Sequence, residues 1–169
     1  MNKLLEQLVE VHGPSGFEDQ VRSLIRSEIE SYADETSVDA MGNLIALKRG
    51  DDDGLKIMIA AHMDEIGVMV SHITEDGFLR FTNIGGVSAL TLLGSRVQFS
   101  DGTLGVIYCE GKMFPKNLLP LEKHFIDVGA SDKDDCPIQV GDVATFKREF
   151  AAQGKRLTAK SMDDRIGCY

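Results

Sequence analysis

A histidine and an aspartate two residues apart, His62 and Asp64, sit inside the apolar run IMIAAHMDEIGVMV that extends from Ile57 to Val70. Strand periodicity turns residues two apart to the same side, so the pair shares a face while Met63 points back to the core. That pairing suits a metal site: a neutral imidazole binds a divalent ion through one nitrogen while a carboxylate holds the proton on the other. His62 would then be a ligand and Asp64 its orienting partner. The same triplet also describes a core histidine beside a helix-capping aspartate. A second candidate is Asp163-Asp164 in the closing stretch GKRLTAKSMDDRIGCY. Adjacent carboxylates repel each other and usually have a partner, which a divalent cation can supply. They can equally cap the helix that follows. Both readings stay open on these residues alone.

The chain has 169 residues, 43% of them hydrophobic, and a formal charge of −9. It can bury a core, in one or two small domains. Its negative charge repels nucleic acid and anionic lipid at long range, so neither is expected as a partner. Cys109, Cys136 and Cys168 are odd in number and far apart, which points to neither a disulfide framework nor a cysteine zinc knuckle and fits a reducing cytoplasm. No apolar run is long enough to span a bilayer, and the opening MNKLLEQLVEVHG has no cleavage-site pattern.

The elements that must position these groups are readable in outline. Leu4, Leu5, Leu8 and Val11 follow helical spacing from Met1, and His12-Gly13-Pro14 ends the pattern, with His12 read as a C-terminal cap favoured by the helix dipole. Ser15 and Glu18 stand in capping-box register before a second helix with a buried stripe of Val21, Leu24, Ile25, Ile29 and Tyr32. Thr36–Asp39 and Leu44–Lys48 read as a hairpin, and Arg49–Gly54, with its three aspartates, as a solvated turn. Leu55–Ala61 reads as a central strand covered on both faces, with His62 at its carboxyl end. Beyond Gly67 the texture changes to short strands punctuated by glycine, at Val68–Thr74, Phe78–Ile84, Arg96–Phe99, Thr103–Cys109, Phe125–Val128 and Asp142–Lys147. These form a small inserted barrel or sandwich, in which His72 and His124 are ordinary surface or interface residues.

Six motifs in order carry a resemblance: Pro14-Ser15-Gly16-Phe17-Glu18, Asp39-x-x-Gly42-Asn43-Leu44, Ala61-His62-Met63-Asp64-Glu65-Ile66-Gly67, Ile126-Asp127-Val128-Gly129-Ala130, Gly141-Asp142 and Met162-Asp163-Asp164-Arg165-x-Gly167. Together they resemble the first half of the family M42 metallo-aminopeptidases, the glutamyl and deblocking group. The resemblance implies an α/β fold, a three-layer α/β/α catalytic domain made of residues 1–67 and 155–169, with a β-barrel dimerisation domain at 68–154 between them. It implies two metal ions, zinc or cobalt with manganese as a further option, His62 ligating one, Asp64 orienting His62, and Asp163 bridging both ahead of a cis peptide to Asp164. It further implies peptide substrates and homo-oligomers built from dimers, up to dodecamers.

Members of that family are about twice as long as a single domain of this size, and their proton-shuttling Glu-Glu pair, another acidic ligand and a late histidine have no counterpart here. The chain is therefore expected to be a fragment of a longer enzyme, weak in metal binding and inactive alone. Glu65 would face away from Asp64 and is a poor substitute base. Two other functions fit less of the sequence. A glycosidase needs two carboxyls about 5–9.5 Å apart, usually beside aromatic platforms, and the chain has no tryptophan. A non-catalytic assembly module would keep the barrel and lose the chemistry.

Overall fold

The computed structural model describes residues 3–51, 53–111 and 117–169. The expected start of the first helix at Met1, and Asp52 of the acidic turn, lie outside the described residues. The chain divides into two compact units, Met1–Asp64 with Phe150–Tyr169, and Glu65–Glu149.

In the first unit, helix α1 (Lys3–Glu10) buries Leu5, Leu8 and Val9, and Leu5 and Val9 pack with Phe150 under cover of Ala159 and Met162. Helix α2 (Asp19–Ile29) buries only Val21 fully, and Tyr32 of the expected stripe is 75% exposed. Strands β1 (Glu35–Val38) and β2 (Leu44–Leu47) form the expected hairpin, Glu35 opposite Leu47 and Val38 opposite Leu44. Asp39 shapes its turn: the carboxylate accepts from the backbone N–H of Met41 and Asn43 and from the Asn43 side chain, at 2.8–2.9 Å.

Leu55–Ala61 departs from expectation. The segment is not a paired strand, and Leu55, Ile57, Met58 and Ile59 are 81–92% exposed. A strand buried on both faces needs a neighbour at each edge and a layer on each side, whereas β1 and β2 pair with each other alone among the described residues. The apolar composition is therefore legible while the burial that it prepares for is not met.

The second unit is a closed barrel of six strands in the order β3-β4-β7-β6-β5-β8, with β8 returning to β3. The strands are β3 (Gly67–Ile73), β4 (Leu79–Ile84), β5 (Arg96–Phe99), β6 (Leu104–Cys109), β7 (His124–Asp127) and β8 (Val143–Phe146). They fall within a residue or two of the six predicted strands, because alternation and glycine turns encode them locally. The Asp101-Gly102 turn joins β5 to β6, with Gly102 at φ 94° and the Asp101 carboxylate accepting from the Thr103 N–H at 2.9 Å. Val68, Leu79, Val97, Ile107, Ile126 and Ala144 are fully buried inside; each large aliphatic side chain so buried stabilises the fold by about 1.5–3 kcal/mol. Gly105 is needed there because a Cβ would stand 2.4 Å from the Ile126 Cγ2.

His124 corrects its expectation. It is 4% exposed and its Nδ1 lies 3.1 Å from the Pro120 carbonyl oxygen, so it is a satisfied interior histidine, while His72 is exposed. After the barrel, β9 (Ala151–Gln153) and β10 (Arg156–Thr158) form a second hairpin that belongs to the first unit. The short turn α3 (Met162–Arg165) follows.

Candidate functional site

The loop between α1 and α2 sets one side of the site. Phe17 N–H donates to the Pro14 carbonyl at 2.8 Å and Gly16 adopts φ 86°, the positive value that the third position of such a turn demands. The capping box does not form: Glu18 takes the N-cap position without a side-chain cap, and its carboxylate accepts from the Gly16 N–H at 2.6 Å. Ser15 instead donates its hydroxyl to Asp64 Oδ2. The S-x-x-E spacing is identical in either case, so the sequence could not tell a cap from a tether across 49 residues.

His62 and Asp64 share a face, as alternation requires, with Nδ1 2.9 Å from Asp64 Oδ1. The far side of the ring meets the other end of the chain: Nε2 lies 3.2 Å from Asp163 Oδ1. Asp163 (φ −91°, ψ 111°) and Asp164 (φ −118°, ψ 32°) both leave helical geometry, and the peptide between them is cis. The capping alternative therefore falls: Ser161 is the N-cap, and its hydroxyl donates to the Val9 carbonyl at 2.6 Å. The Asp163 side chain is 96% exposed, which leaves it free of any task in the interior.

The electrostatics define what the site can hold. Burial, the largest single influence, pushes the Asp64 carboxyl up, but the hydrogen bonds from Ser15 and His62 and the imidazole charge together hold it below its ordinary 3.8. An ionised carboxylate only accepts, so His62 Nδ1 carries a proton. With Nδ1 protonated, a neutral ring presents the Nε2 lone pair to Asp163. Two acceptors 3.2 Å apart require a proton or a cation between them. Without a cation the ring is drawn toward imidazolium: desolvation lowers its pKa, but the bonds and charges of Asp64 and then Asp163 outweigh it and raise the value above 6.5.

A guanidinium holds this geometry from behind. Arg165 is fully buried and donates to the carbonyls of Met63 at 2.8 Å, Leu8 at 3.0 Å, Val11 at 2.6 Å and Gly13 at 3.3 Å. It thus fixes the residue between His62 and Asp64 to the end of α1. The front of the site opens on a cleft of about 340 Å³ bordered by Ile25, Ile29, Met41, Leu44 and Ile59. Glu65 is buried and belongs to the barrel unit.

His12 is not a charged cap. Neither ring nitrogen finds a hydrogen-bond partner among the described residues. Burial first, then the charges of Lys160 and Arg165, lower its pKa to about 4. An unfolded histidine near 6.5 takes up a proton earlier than the folded one, so stability present above 6.5 is lost as pH falls from 6.5 to about 4. His62, whose pKa is raised, acts with the opposite sign and only above 6.5. Urea midpoints of parent and His12→Leu are expected to diverge as pH falls through that window, the parent losing more, and to run parallel above it.

Among the described residues no three His, Cys, Asp or Glu side chains converge as a metal set. The residues present fit part of one. Two donors on a tetrahedral zinc stand roughly 3.3 Å apart, close to the His62 to Asp163 separation, and Asp64 fixes the tautomer that leaves Nε2 available.

Comparison with known proteins bears on the family of the chain. The model of the M42 glutamyl aminopeptidase family matches residues 42–169. A protein of Acetivibrio thermocellus, named provisionally as an aminopeptidase, is 44% identical over 170 residues, covering 99% of this chain and 51% of its own length. Among solved structures, aminopeptidase APDkam598 of Desulfurococcus kamchatkensis superposes with a TM-score of 0.91 at 44% identity, over 98% of this chain and 48% of that one. The TET1 peptidase of Pyrococcus horikoshii, described as able to assemble into a tetrahedron or a large octahedral shell, matches at 0.84 and 33% identity, over 98% and 52%. The chain thus spans about half the length of the relatives that it matches. No helix among the described residues is long and apolar enough to cross a membrane. With the family model spanning well over half of its residues, the chain belongs to the M42 glutamyl aminopeptidase family.

Proposed function

We propose that this chain supplies the first part of the active site of a metal-dependent aminopeptidase, together with the barrel through which copies associate. The observation that carries the reading is the imidazole of His62 held between two carboxylates, Asp64 on Nδ1 and Asp163 on Nε2. His62 Nε2 and Asp163 would hold a divalent ion, and Asp163, with two oxygens, would be shared with a second. A zinc, cobalt or manganese ion bound there would lower the pKa of water toward neutrality and polarise the scissile carbonyl of an amino-terminal peptide bond. The chain's own residues do the positioning. Asp64 keeps the proton on Nδ1, and Arg165 holds Met63, so that the two flanking side chains cannot drift apart. The cleft beside Ile25 and Ile59 gives a peptide access to the imidazole face.

Two protein donors are fewer than the three or more that catalytic zinc sites use. We therefore expect weak metal binding and no turnover from these 169 residues alone. The exposed Leu55–Ile59 supports the same view, since a complete α/β layer would cover so apolar a segment.

A chimera tests the proposal: this chain replaces the matching half of aminopeptidase APDkam598, and release of N-terminal amino acids from short peptides is followed. Release that requires zinc or cobalt, stops with chelator and is lost in the His62→Ala chimera is the expected result. Release indifferent to chelator or to His62→Ala, or reducing sugar freed from cellulose instead, would overturn it. The barrel, which closes as its own compact unit, favours a second reading for the isolated chain, self-association without catalysis. Light scattering showing dimers or larger assemblies, with no peptidase activity, would support it.

A further inference from the structure

Asp64 is held at both of its oxygens. Oδ1 faces His62 Nδ1 at 2.9 Å, and Oδ2 accepts from the Ser15 hydroxyl. A carboxylate bound at one oxygen can rotate about its Cβ–Cγ bond and exchange its oxygens, whereas one bound at both presents a fixed edge to the imidazole. We propose that Ser15 is a positioning residue for the metal site: by anchoring Oδ2 it keeps Asp64 Oδ1 on His62 Nδ1–H, and so keeps the Nε2 lone pair aimed at Asp163.

Three observations bear on this assignment. Ser15 stands where a helix cap was expected, yet the cap is absent and the hydroxyl spans 49 residues to Asp64. Its loop is built to hold it there: the fully buried Pro14 precedes it, the Phe17 N–H closes the turn on Pro14, and Gly16 takes the positive φ. The hydroxyl does not cap α2, which starts from Glu18 without a side-chain cap, and the Glu18 carboxylate folds back onto the Gly16 N–H. Without Ser15, Asp64 keeps its charge but loses one of two anchors, and a neutral imidazole is freer to place its proton on Nε2, facing Asp163. That tautomer has no lone pair on Nε2 with which to bind an ion beside Asp163.

The affinity arm of the test rests on the metal-site reading, while the tautomer arm does not. Long-range proton–nitrogen NMR of the chain labelled with ¹⁵N-histidine, at alkaline pH where the ring is neutral, reports the His62 tautomer, and comparison with His62→Gln assigns its signals. The parent is expected to show the Nδ1–H form, Ser15→Ala a mixture of both forms, and Ser15→Thr, which keeps the hydroxyl, the parental pattern. Zinc affinity, by calorimetry, is expected to fall about tenfold in Ser15→Ala and to recover in Ser15→Thr, with the thermal midpoint of Ser15→Ala close to the parent's. Should the alanine variant unfold, Ser15→Cys, a weak donor of similar volume, takes its place. A His62 tautomer unchanged in Ser15→Ala overturns the proposal, as does a loss of affinity that tracks loss of thermal stability and is not recovered by threonine. A tautomer that responds to Ser15 in a chain that binds no zinc upholds the role of the serine and refutes the metal-site reading.

Discussion

Arg165→Met is expected to destabilise the first unit by roughly 3–5 kcal/mol, a large share of the stability of a domain this size. The methionine fills most of the volume but donates nothing, so the carbonyls of Leu8, Val11, Gly13 and Met63 lose a common donor inside the protein. A hydrogen bond from a charged donor is worth about 1.5–3 kcal/mol, and a buried acceptor left unpaired costs a comparable amount. The four bonds share one side chain, so their contributions do not simply add. Arg165→Lys should fall between, because an ammonium reaches fewer carbonyls than a planar fork does. Hydrogen exchange followed by mass spectrometry is the appropriate readout, since a chain of two compact units need not unfold in one step. Protection should fall in α1 and in residues 160–169 while the barrel strands keep theirs. A uniform small loss over both units would show that the guanidinium is not the clamp described.

The second large effect concerns the ion. His62→Ala removes the nitrogen donor and Asp163→Asn removes the facing charge, and either is expected to reduce zinc or cobalt affinity at least tenfold. Asp64→Asn, which keeps the shape but can turn an amide donor toward Nδ1, should cost about 10–100-fold through the orientation of His62. Calorimetric titration of metal-stripped protein checks all three. Equal affinity in Asp64→Asn and the parent would mean that Asp64 holds structure and not the tautomer.

These expectations rest on features of unequal visibility in the sequence. The barrel was legible because each strand carries its own alternation and each turn its own glycine, as in the Asp101-Gly102 hairpin; local signals sufficed for a local structure. His62 and Asp64 were legible for the same reason, two residues apart on one strand-like face. Their meeting with Asp163 came from the ordered motifs and not from spacing, since 101 residues of chain separate it from His62. Ser15 and Arg165 were hidden. The serine sits in a pattern that means a helix cap nearly everywhere else, and nothing in Asp-Asp-Arg says that the arginine turns inward to reach carbonyls more than 150 residues earlier. His12 and Leu55–Ile59 show the reverse error, where a local pattern promised a surface cap and a buried strand. The burial of each depends on what packs around it, which no run of neighbouring residues records. The β9–β10 hairpin was missed because three-residue strands hold too little alternation to detect.

The account stands or falls on whether His62 and Asp163 meet at one ion. Zinc K-edge X-ray absorption of the loaded chain, compared with His62→Ala and Asp163→Asn, tests this most directly. The account predicts one imidazole among oxygen donors in the parent, with the imidazole outer-shell scattering gone in His62→Ala and the oxygen shell altered in Asp163→Asn. Imidazole scattering that persists in His62→Ala would place the ion at another histidine and contradict it.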